Sequence, residues 1–300
     1  MNLKQTLITV LILSSQIMTG CSLSISNFSE NISNAVKSNN DTETVMQALP
    51  AYLLLLDGLI ESDPDDEDNL LASSTLMNAY AGLLAADLEM LSAEDNKNIF
   101  YVNKIKRQQQ LLAQKSLKRV TRAICIYDEK LCEMTSIKYS DLVEKMNNTD
   151  SDDIDILYRL GASWASWLQV NTHDWNAMAQ LPQIKLLMKT VISYDENWDN
   201  GSANMYLGVL NSFIPKTMGG NPELGKDYFE TAIKLTKGEN QMAKVLYAEY
   251  YARLTFNEKL HERLISEVLD YKNSQPEFNL INTIARQKAK ALQASSKEYF

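Results

Sequence analysis

The residue types that carry out catalysis are sparse in this sequence. It contains two histidines, His173 and His261, and neither belongs to an HExxH zinc motif. A GxSxG nucleophile motif and a phosphate-binding P-loop are also missing from the sequence. We therefore predict that the protein is not an enzyme, and we assign no catalytic residue and no cofactor.

The acidic run between residues 63 and 68 comes nearest to a metal-binding pattern. Asp63, Asp65 and Glu67 have the spacing of the first, third and fifth ligands of an EF-hand. Asp68, however, stands where that loop needs glycine, and Ser74 stands where it needs glutamate. We therefore predict no metal site, and we assign the acidic run to the start of the next helix.

The N-terminus has the pattern of a bacterial lipoprotein. Lys4 supplies the positive region of a signal peptide, and an apolar stretch follows over residues 7–13. Met18-Thr19-Gly20-Cys21 resembles a lipobox, in which the cysteine is lipid-modified and becomes the first residue of the mature protein. We predict that residues 1–20 are removed and that Cys21 is the lipidation site.

The segment after this cysteine predicts where the domain sits. Residues 21–40 are rich in Ser and Asn, a composition that favours a flexible tether. Ser22 follows the cysteine, as in lipoproteins that are sorted to the outer membrane. We therefore expect a lipid-anchored domain on the periplasmic side of a bacterial membrane. The serine after the cysteine favours the outer membrane.

Two further cysteines, Cys125 and Cys132, are seven positions apart. On one straight helix they would lie about 10.5 Å apart, which is too far for a disulfide. A turn over residues 127–130 would bring them together, and export to an oxidising compartment favours that pairing. The alternative is a pair of free thiols packed at a helix end.

Composition restricts the class of partner. The chain has 300 residues, of which 45% are apolar, with 10 Gly and 6 Pro, so it can bury a sizeable helical core. Its net charge of −9 argues against a nucleic-acid partner, because phosphate binding needs clustered Lys and Arg. The main basic stretch, between residues 104 and 122, is interleaved with Gln and is typical of a solvated helix face.

The segment 202–238 predicts a helical hairpin. Its first half places apolar residues on one side of a helix, namely Ala203, Tyr206, Leu207, Leu210 and Ile214. Pro215 ends this helix, while Asn221 and Pro222 are suited to the N-cap and first position of a second helix. Gly238 is suited to its C-terminal end.

This hairpin partly matches the tetratricopeptide (TPR) pattern. Leu207-Gly208 fits the first helix of a repeat, and Gly225, Phe229 and Ala232 fit the second. Further partial matches occur at Leu160-Gly161 and over residues 59–64. Since no stretch shows a long period-two alternation, we predict an all-α, TPR-like array of antiparallel helix pairs that forms one domain over residues 41–300.

Aromatic residues next to small residues are the candidates for a ligand site. Trp164 and Trp167 are three positions apart and lie among Gly, Ala and Ser, and Tyr158 and Tyr206 occupy comparable positions in their helices. These four side chains are either ordinary core residues or the wall of an apolar cavity. The sequence leaves both interpretations open.

Several stretches together resemble the T component (TatT family) of TRAP-type transport systems. The resemblance covers most of residues 45–300 and includes the lipoprotein start; it is carried by Pro50-Ala51-Tyr52 with Leu53–Leu56, Leu160–Trp164, Tyr206-Leu207-Gly208, Phe229–Ala232, Tyr247-Ala248, Tyr251-Ala252, Asn282, Ala285 and Ala289. It implies a TPR-like lipoprotein that faces the periplasm, binds a TRAP-type solute receptor and assembles as a homo-oligomer. It also implies a role in passing an apolar or amphipathic ligand.

Two other functions are compatible with the residues alone. One is an outer-membrane TPR scaffold lipoprotein that helps other proteins to assemble. The other is a binding protein that acts alone and holds an apolar ligand in the aromatic cavity. A gene for a TRAP receptor next to this one would favour the transport function, whereas a ligand retained through purification would favour the stand-alone binding protein.

Overall fold

The computed structural model describes residues 23–92, 98–272 and 274–300. The predicted signal peptide and Cys21 lie outside these ranges. The longer helices in chain order are α1 (Leu23–Ser38), α2 (Thr42–Ser62), α3 (Glu67–Ser92), α4 (Ile99–Tyr127), α5 (Tyr139–Met146), α6 (Ile154–Val170), α7 (Trp175–Met178), α8 (Leu181–Tyr194), α9 (Trp198–Ser212), α10 (Pro222–Leu235), α11 (Gln241–Leu246), α12 (Glu258–Asp270), α13 (Asn279–Ala294) and α14 (Ser296–Tyr299).

No strand occurs within the described ranges, so the predicted all-α fold is confirmed. Helix α11 continues directly into a π-helical segment, Tyr247–Ala252. Helix α2 runs through Pro50 without a break. The TPR-like arrangement of the helix pairs stays a prediction.

Apolar side chains form two separate cores. The first is built by α4, α5, α6, α8 and α9 and includes the fully buried Leu160. The second is built by α2, α3, α11, α12 and α13 and includes the fully buried Ala285. Helix α3 contributes to both, with Leu70 in the first core and Leu83 in the second. A space between the two cores must therefore have α3 as one wall.

Helices α9 and α10 form the hairpin that the sequence predicts. Asn221 caps α10 by accepting a hydrogen bond from the Leu224 N–H at 3.4 Å, and Pro222 is its first residue. Gly238 follows the helix with a φ of 77°, in the left-handed region that glycine adopts without strain. The three residues that match the second TPR helix, Gly225, Phe229 and Ala232, are the ones that α10 buries.

The predicted turn joins the two cysteines that follow Cys21. Helix α4 ends at Tyr127, and Asp128 caps a short 3₁₀ turn by accepting from the Lys130 N–H at 2.9 Å. The turn brings the Cα atoms of Cys125 and Cys132 to 4.7 Å, and their sulfurs are bonded.

The structure differs from the sequence prediction at the proposed tether. Residues 23–38 form helix α1, whose Val36 packs against the second core. The Asn279 side chain donates to the Ser38 carbonyl at 2.9 Å and so fixes the end of α1. Composition misled here, because Ile25, Phe28, Ile32 and Val36 recur with a helical spacing within the Ser- and Asn-rich sequence.

Three basic residues on the second half of α4 form ion pairs. Lys115 and Arg119 both bind Asp57 of α2, with the Lys115 contact at 2.7 Å. Arg122 binds Asp65 in the acidic run at 2.8 Å. In the same run, Asp66 accepts from the Asn69 N–H at 2.9 Å and so caps the start of α3, as predicted for these acidic residues.

One helix in the described part of the chain, α2, is long and apolar enough to cross a membrane by length and composition. Its buried side packs into the second core through Val45, Leu49 and Leu53. Its opposite side leaves Leu54 71% exposed and Leu55 49% exposed. This apolar outer face of α2 is defined by Leu54 and Leu55.

We expect Gly208→Ala to destabilise the protein, because the two helices of the hairpin meet at this residue. A Cβ at Gly208 would lie 2.6 Å from Cδ1 of Phe229, whose ring is fully buried and cannot move aside. Overpacking of this kind costs about 1–3 kcal/mol. The matched control is Gly58→Ala on α2, where a Cβ meets nothing within 4 Å. Equal stabilities of both variants in urea denaturation would contradict the close contact.

We expect His261 to make the fold sensitive to acid. The ring is 1% exposed, neither nitrogen has a hydrogen-bond partner, and the Phe300 ring lies 5.2 Å away. Burial, helped by the charge of Arg253, lowers the pKa of His261 from 6.5 to about 4. Because the unfolded chain binds this proton more readily, the stabilisation is complete above pH 6.5 and is lost as the pH falls towards 4.

The loss attributable to His261 should approach about 3 kcal/mol of unfolding free energy between pH 7 and pH 4. Denaturant titrations of the wild type and of His261→Leu isolate this contribution, because the carboxylates titrate in both proteins. The wild type should lose more stability than the variant over this range. Parallel pH profiles would show that His261 is protonated without cost.

Candidate ligand-binding cavity

A two-lobed cavity lies between the two cores. Lobe 1 has a volume of about 690 Å³ and extends to the exposed Lys106 and His173. Lobe 2 has a volume of about 740 Å³ and extends to the exposed Lys37 and Glu277. Each volume is in the range of small-molecule sites.

Nine residues line both lobes, so the lobes adjoin each other. We call this shared zone the waist, and it consists of Asn78, Gly82, Ala85, Glu89, Ala162, Gln169, Met205, Tyr206 and Leu246. These residues come from α3, α6, α9 and α11, which surround the space. Each lobe therefore extends from the waist to solvent-exposed residues.

Small residues on α3 and α6 create the space. Asn78, Gly82, Ala85 and Glu89 recur at the spacing of one helix face, and none of them belongs to either core. A Cβ added at Gly82 would meet nothing within 4 Å, although the residue lies in the middle of a long helix. Gly82 is thus open to the waist.

The opposite wall is apolar and aromatic. Met205 and Tyr206 of α9 and Leu246 of α11 line the waist, and Phe213 and Tyr250 extend the wall into lobe 1. Tyr250 lies on the π-helical segment after α11. The apolar part of a ligand can therefore pack along this wall.

Tyr158 and Tyr206 form an edge-to-face pair with their ring centroids 6.1 Å apart. Burial raises the pKa of Tyr206 to about 12 and also raises that of Tyr158, so both hydroxyls stay protonated at neutral pH. The Tyr158 hydroxyl donates to Asp199 at 2.8 Å. Asp199 and the next two residues of α9 have positive φ, which produces a kink at the edge of lobe 2.

The structure brings two of the four predicted aromatic residues to the cavity. Tyr206 lies at the waist and Tyr158 in lobe 2, but neither Trp164 nor Trp167 lines these two lobes. Trp164 is 1% exposed and its indole N–H donates to Gln180 at 2.8 Å, while Trp167 packs against the first core. The small residues around them allow close helix packing, so the core interpretation applies to both tryptophans.

Serine hydroxyls fix the helices that form one side of the cavity. Ser74 of α3 lies 2.9 Å from the Ser116 hydroxyl of α4 and 3.0 Å from the Ser163 hydroxyl of α6. Asn78 donates to Ser163 at 2.9 Å and accepts from Ser116 at 2.9 Å. These hydrogen bonds fix the relative positions of α3, α4 and α6. Because Asn78 also lines the waist, they help to set the shape of the cavity.

A charged cluster interrupts the apolar character of the cavity. Lys288 of α13 is bonded to both carboxylate oxygens of Glu89, at 2.6 Å for Oε2, and its ammonium is 3.2 Å from Glu249. Burial raises the pKa of Glu89. The ammonium of Lys288 acts against this rise, and the negative charge of Glu249 adds to it. Burial opposes the charge of Lys288, but the two carboxylates raise its pKa.

The sequence reading missed Glu89, Gly82 and the π-helical segment. A sequence signal existed for Glu89 and Gly82. Both belong to a stripe of small and polar residues on α3, and the other side of this helix is strongly apolar. Within the described residues, no group of three or more His, Cys, Asp or Glu side chains is arranged to hold a metal ion. The arrangement as a whole suits non-covalent binding of an elongated molecule.

Comparison with known proteins places this fold in a family. A family model described as TRAP transporter T-component matches residues 38–300, which is nearly all of the described chain. No curated protein matches the sequence. The chain therefore belongs to the TRAP transporter T-component family.

Proposed function

We propose that the protein is a periplasm-facing lipoprotein that associates with a periplasmic solute receptor of the TRAP type and helps to bind or pass an apolar ligand. The observation that supports this function is the pair of adjoining lobes, each of which extends to solvent-exposed residues. A storage site needs one opening, whereas a molecule that is passed on benefits from two. Family membership supplies the transport system in which the ligand would move.

The position of α1 supports a link between the cavity and the membrane anchor. Ser33, Asn34 and Lys37 of α1 line the outer part of lobe 2. Helix α1 begins two residues after Cys21, the proposed lipidation site. Anchoring through Cys21 would therefore restrain the helix that borders lobe 2, and membrane fractionation of Cys21→Ala tests the anchor.

A second copy of the chain is the proposed partner of the apolar outer face of α2. Leu54 and Leu55 are exposed on a helix that is otherwise apolar enough to span a membrane. Burying such a face against the same face of another copy stabilises a homo-oligomer. Sedimentation equilibrium tests this arrangement, and a monomer at micromolar concentration would contradict it.

Receptor binding is tested by capture of the TRAP-type receptor encoded beside this protein. The immobilised chain that begins after Cys21 should retain the purified receptor at micromolar concentration. Because an acidic protein would use shape and apolar contact here, the complex should persist in moderate salt. Absence of any complex would remove the transport function and favour a scaffold role.

We expect Gly82→Phe to abolish ligand binding without unfolding the protein. The phenyl ring would occupy the waist, where nothing lies within 4 Å of the new Cβ, and replacing glycine gains a few tenths of a kcal/mol in helix propensity. The neutral apolar fluorophore N-phenyl-1-naphthylamine reports the binding. Gly58→Phe is the matched control, because that glycine is equally open but lies on α2, away from the cavity.

Fluorophore affinity should fall at least about tenfold in Gly82→Phe and stay unchanged in Gly58→Phe, a difference of about 1.4 kcal/mol in binding free energy. Thermal unfolding of both variants should match the wild type or exceed it. Unchanged affinity in Gly82→Phe would show that the ligand does not enter the waist.

A further inference from the structure

We propose that Glu89 is the polar anchor of the cavity and that it binds the hydrogen-bond-donating head group, a hydroxyl or a protonated amine, of an amphipathic ligand. This inference rests on the proposed function, in which the cavity takes up an apolar chain. It adds the chemical class of the head group and the residue that recognises it.

Glu89 faces open space from a position deep in the fold. It lines both lobes at the waist, and 34% of its side chain is exposed although α3 lies between the two cores. Gly82 and Ala85, on the same face of α3, leave the carboxylate uncovered by any larger neighbour on that helix. A ligand that passes the waist therefore meets this carboxylate.

The cation beside Glu89 is already paired with the two carboxylates of the cluster. The Lys288 ammonium donates to both oxygens of Glu89 and forms an ion pair with Glu249 at 3.2 Å, and only 10% of its side chain is exposed. A carboxylate has about four acceptor positions, so Glu89 keeps about two of them after binding Lys288. The cluster sets two carboxylates against one ammonium, so it favours a ligand that donates hydrogen bonds over an anion.

The remaining charges near the cluster do not change this preference. Arg253 is engaged elsewhere, since it donates to the Leu292 carbonyl and to Ser295 and stacks over the Tyr299 ring at 4.6 Å. At the solvent ends, Lys106 and His173 are exposed, Arg159 pairs with Asp155 at 2.7 Å, and Lys37 lies 3.9 Å from Asp199. These cations are on the rims, away from the waist.

Electrostatics favour a donor at this position. The raised pKa of Glu89 shows that Lys288 does not fully offset the cost of burying the carboxylate. A protonated amine or hydroxyl would supply part of the missing solvation, whereas a carboxylate head group would bring two like charges together in a poorly solvated space. The apolar wall of Met205 and Leu246 then leaves room for the chain of the ligand.

The test uses three probes with one ten-carbon chain and different head groups: decylamine, decanol and decanoate. Each displaces N-phenyl-1-naphthylamine from the full-length mature protein at pH 7 and constant ionic strength. Decylamine and decanol should bind at least about tenfold more tightly than decanoate, the difference expected from one hydrogen bond to a charged group. Glu89→Gln should reduce this difference to less than about threefold.

Glu249→Gln is the matched control, because it removes the same charge from the same cluster but lines neither lobe. The preference for donor head groups should persist in this variant and should also persist in Glu89→Asp, which keeps the carboxylate. Thermal unfolding of each variant verifies that it is folded. If Glu89→Gln does not fold, the comparison of the three head groups on the wild type and on Glu89→Asp still decides the question.

Two outcomes would overturn the assignment of Glu89 alone: decanoate binding as tightly as decylamine, or the same ranking in Glu89→Gln as in the wild type. Failure of the neutral fluorophore itself to bind would instead remove the ligand-binding part of the proposed function, and this inference with it.

Discussion

The two sides of helix α3 impose the constraint on which the rest of the structure depends. One side must fill the second core with large apolar residues such as Leu83. The other side carries Asn78, Gly82, Ala85 and Glu89, none of which can fill the gap to α6, α9 and α11. Because the same helix also enters the first core through Leu70, the two cores cannot close on each other. The cavity is the space that remains.

The buried ion cluster has a meaning beyond stability. Lys288, Glu89 and Glu249 link α13, α3 and the segment after α11, but burying such charges costs solvation that their attraction only partly returns. An apolar trio would hold the same helices at least as well. Placing a carboxylate at the waist therefore points to recognition, and the neighbouring lysine keeps that carboxylate charged and oriented.

Much of the fold could be predicted from the sequence, because it rests on local patterns. The α9–α10 hairpin follows from apolar spacing, Pro215, Asn221 and Gly238, and the all-α class follows from the same periodicity. The cavity was less accessible, since a small or polar stripe such as Gly82 and Ala85 also occurs in close helix contacts. Trp164 shows a related ambiguity: a large aromatic residue among small ones was compatible with a cavity wall and with the core, and its side chain is buried. Two features depend on tertiary packing and could not be predicted from a single sequence. They are the two buried sides of α3 and the π-helical segment that carries Glu249.

The central claim is that the space between the two cores holds the chain of an amphipathic ligand. The most direct measurement is a crystal structure of the mature protein with 10-bromodecan-1-ol, in which anomalous scattering locates the bromine at the end of the chain. The account predicts bromine inside one lobe, with density that runs through the waist and places the hydroxyl against Glu89. Bromine found on the outer surface, with both lobes filled by ordered water, would contradict it.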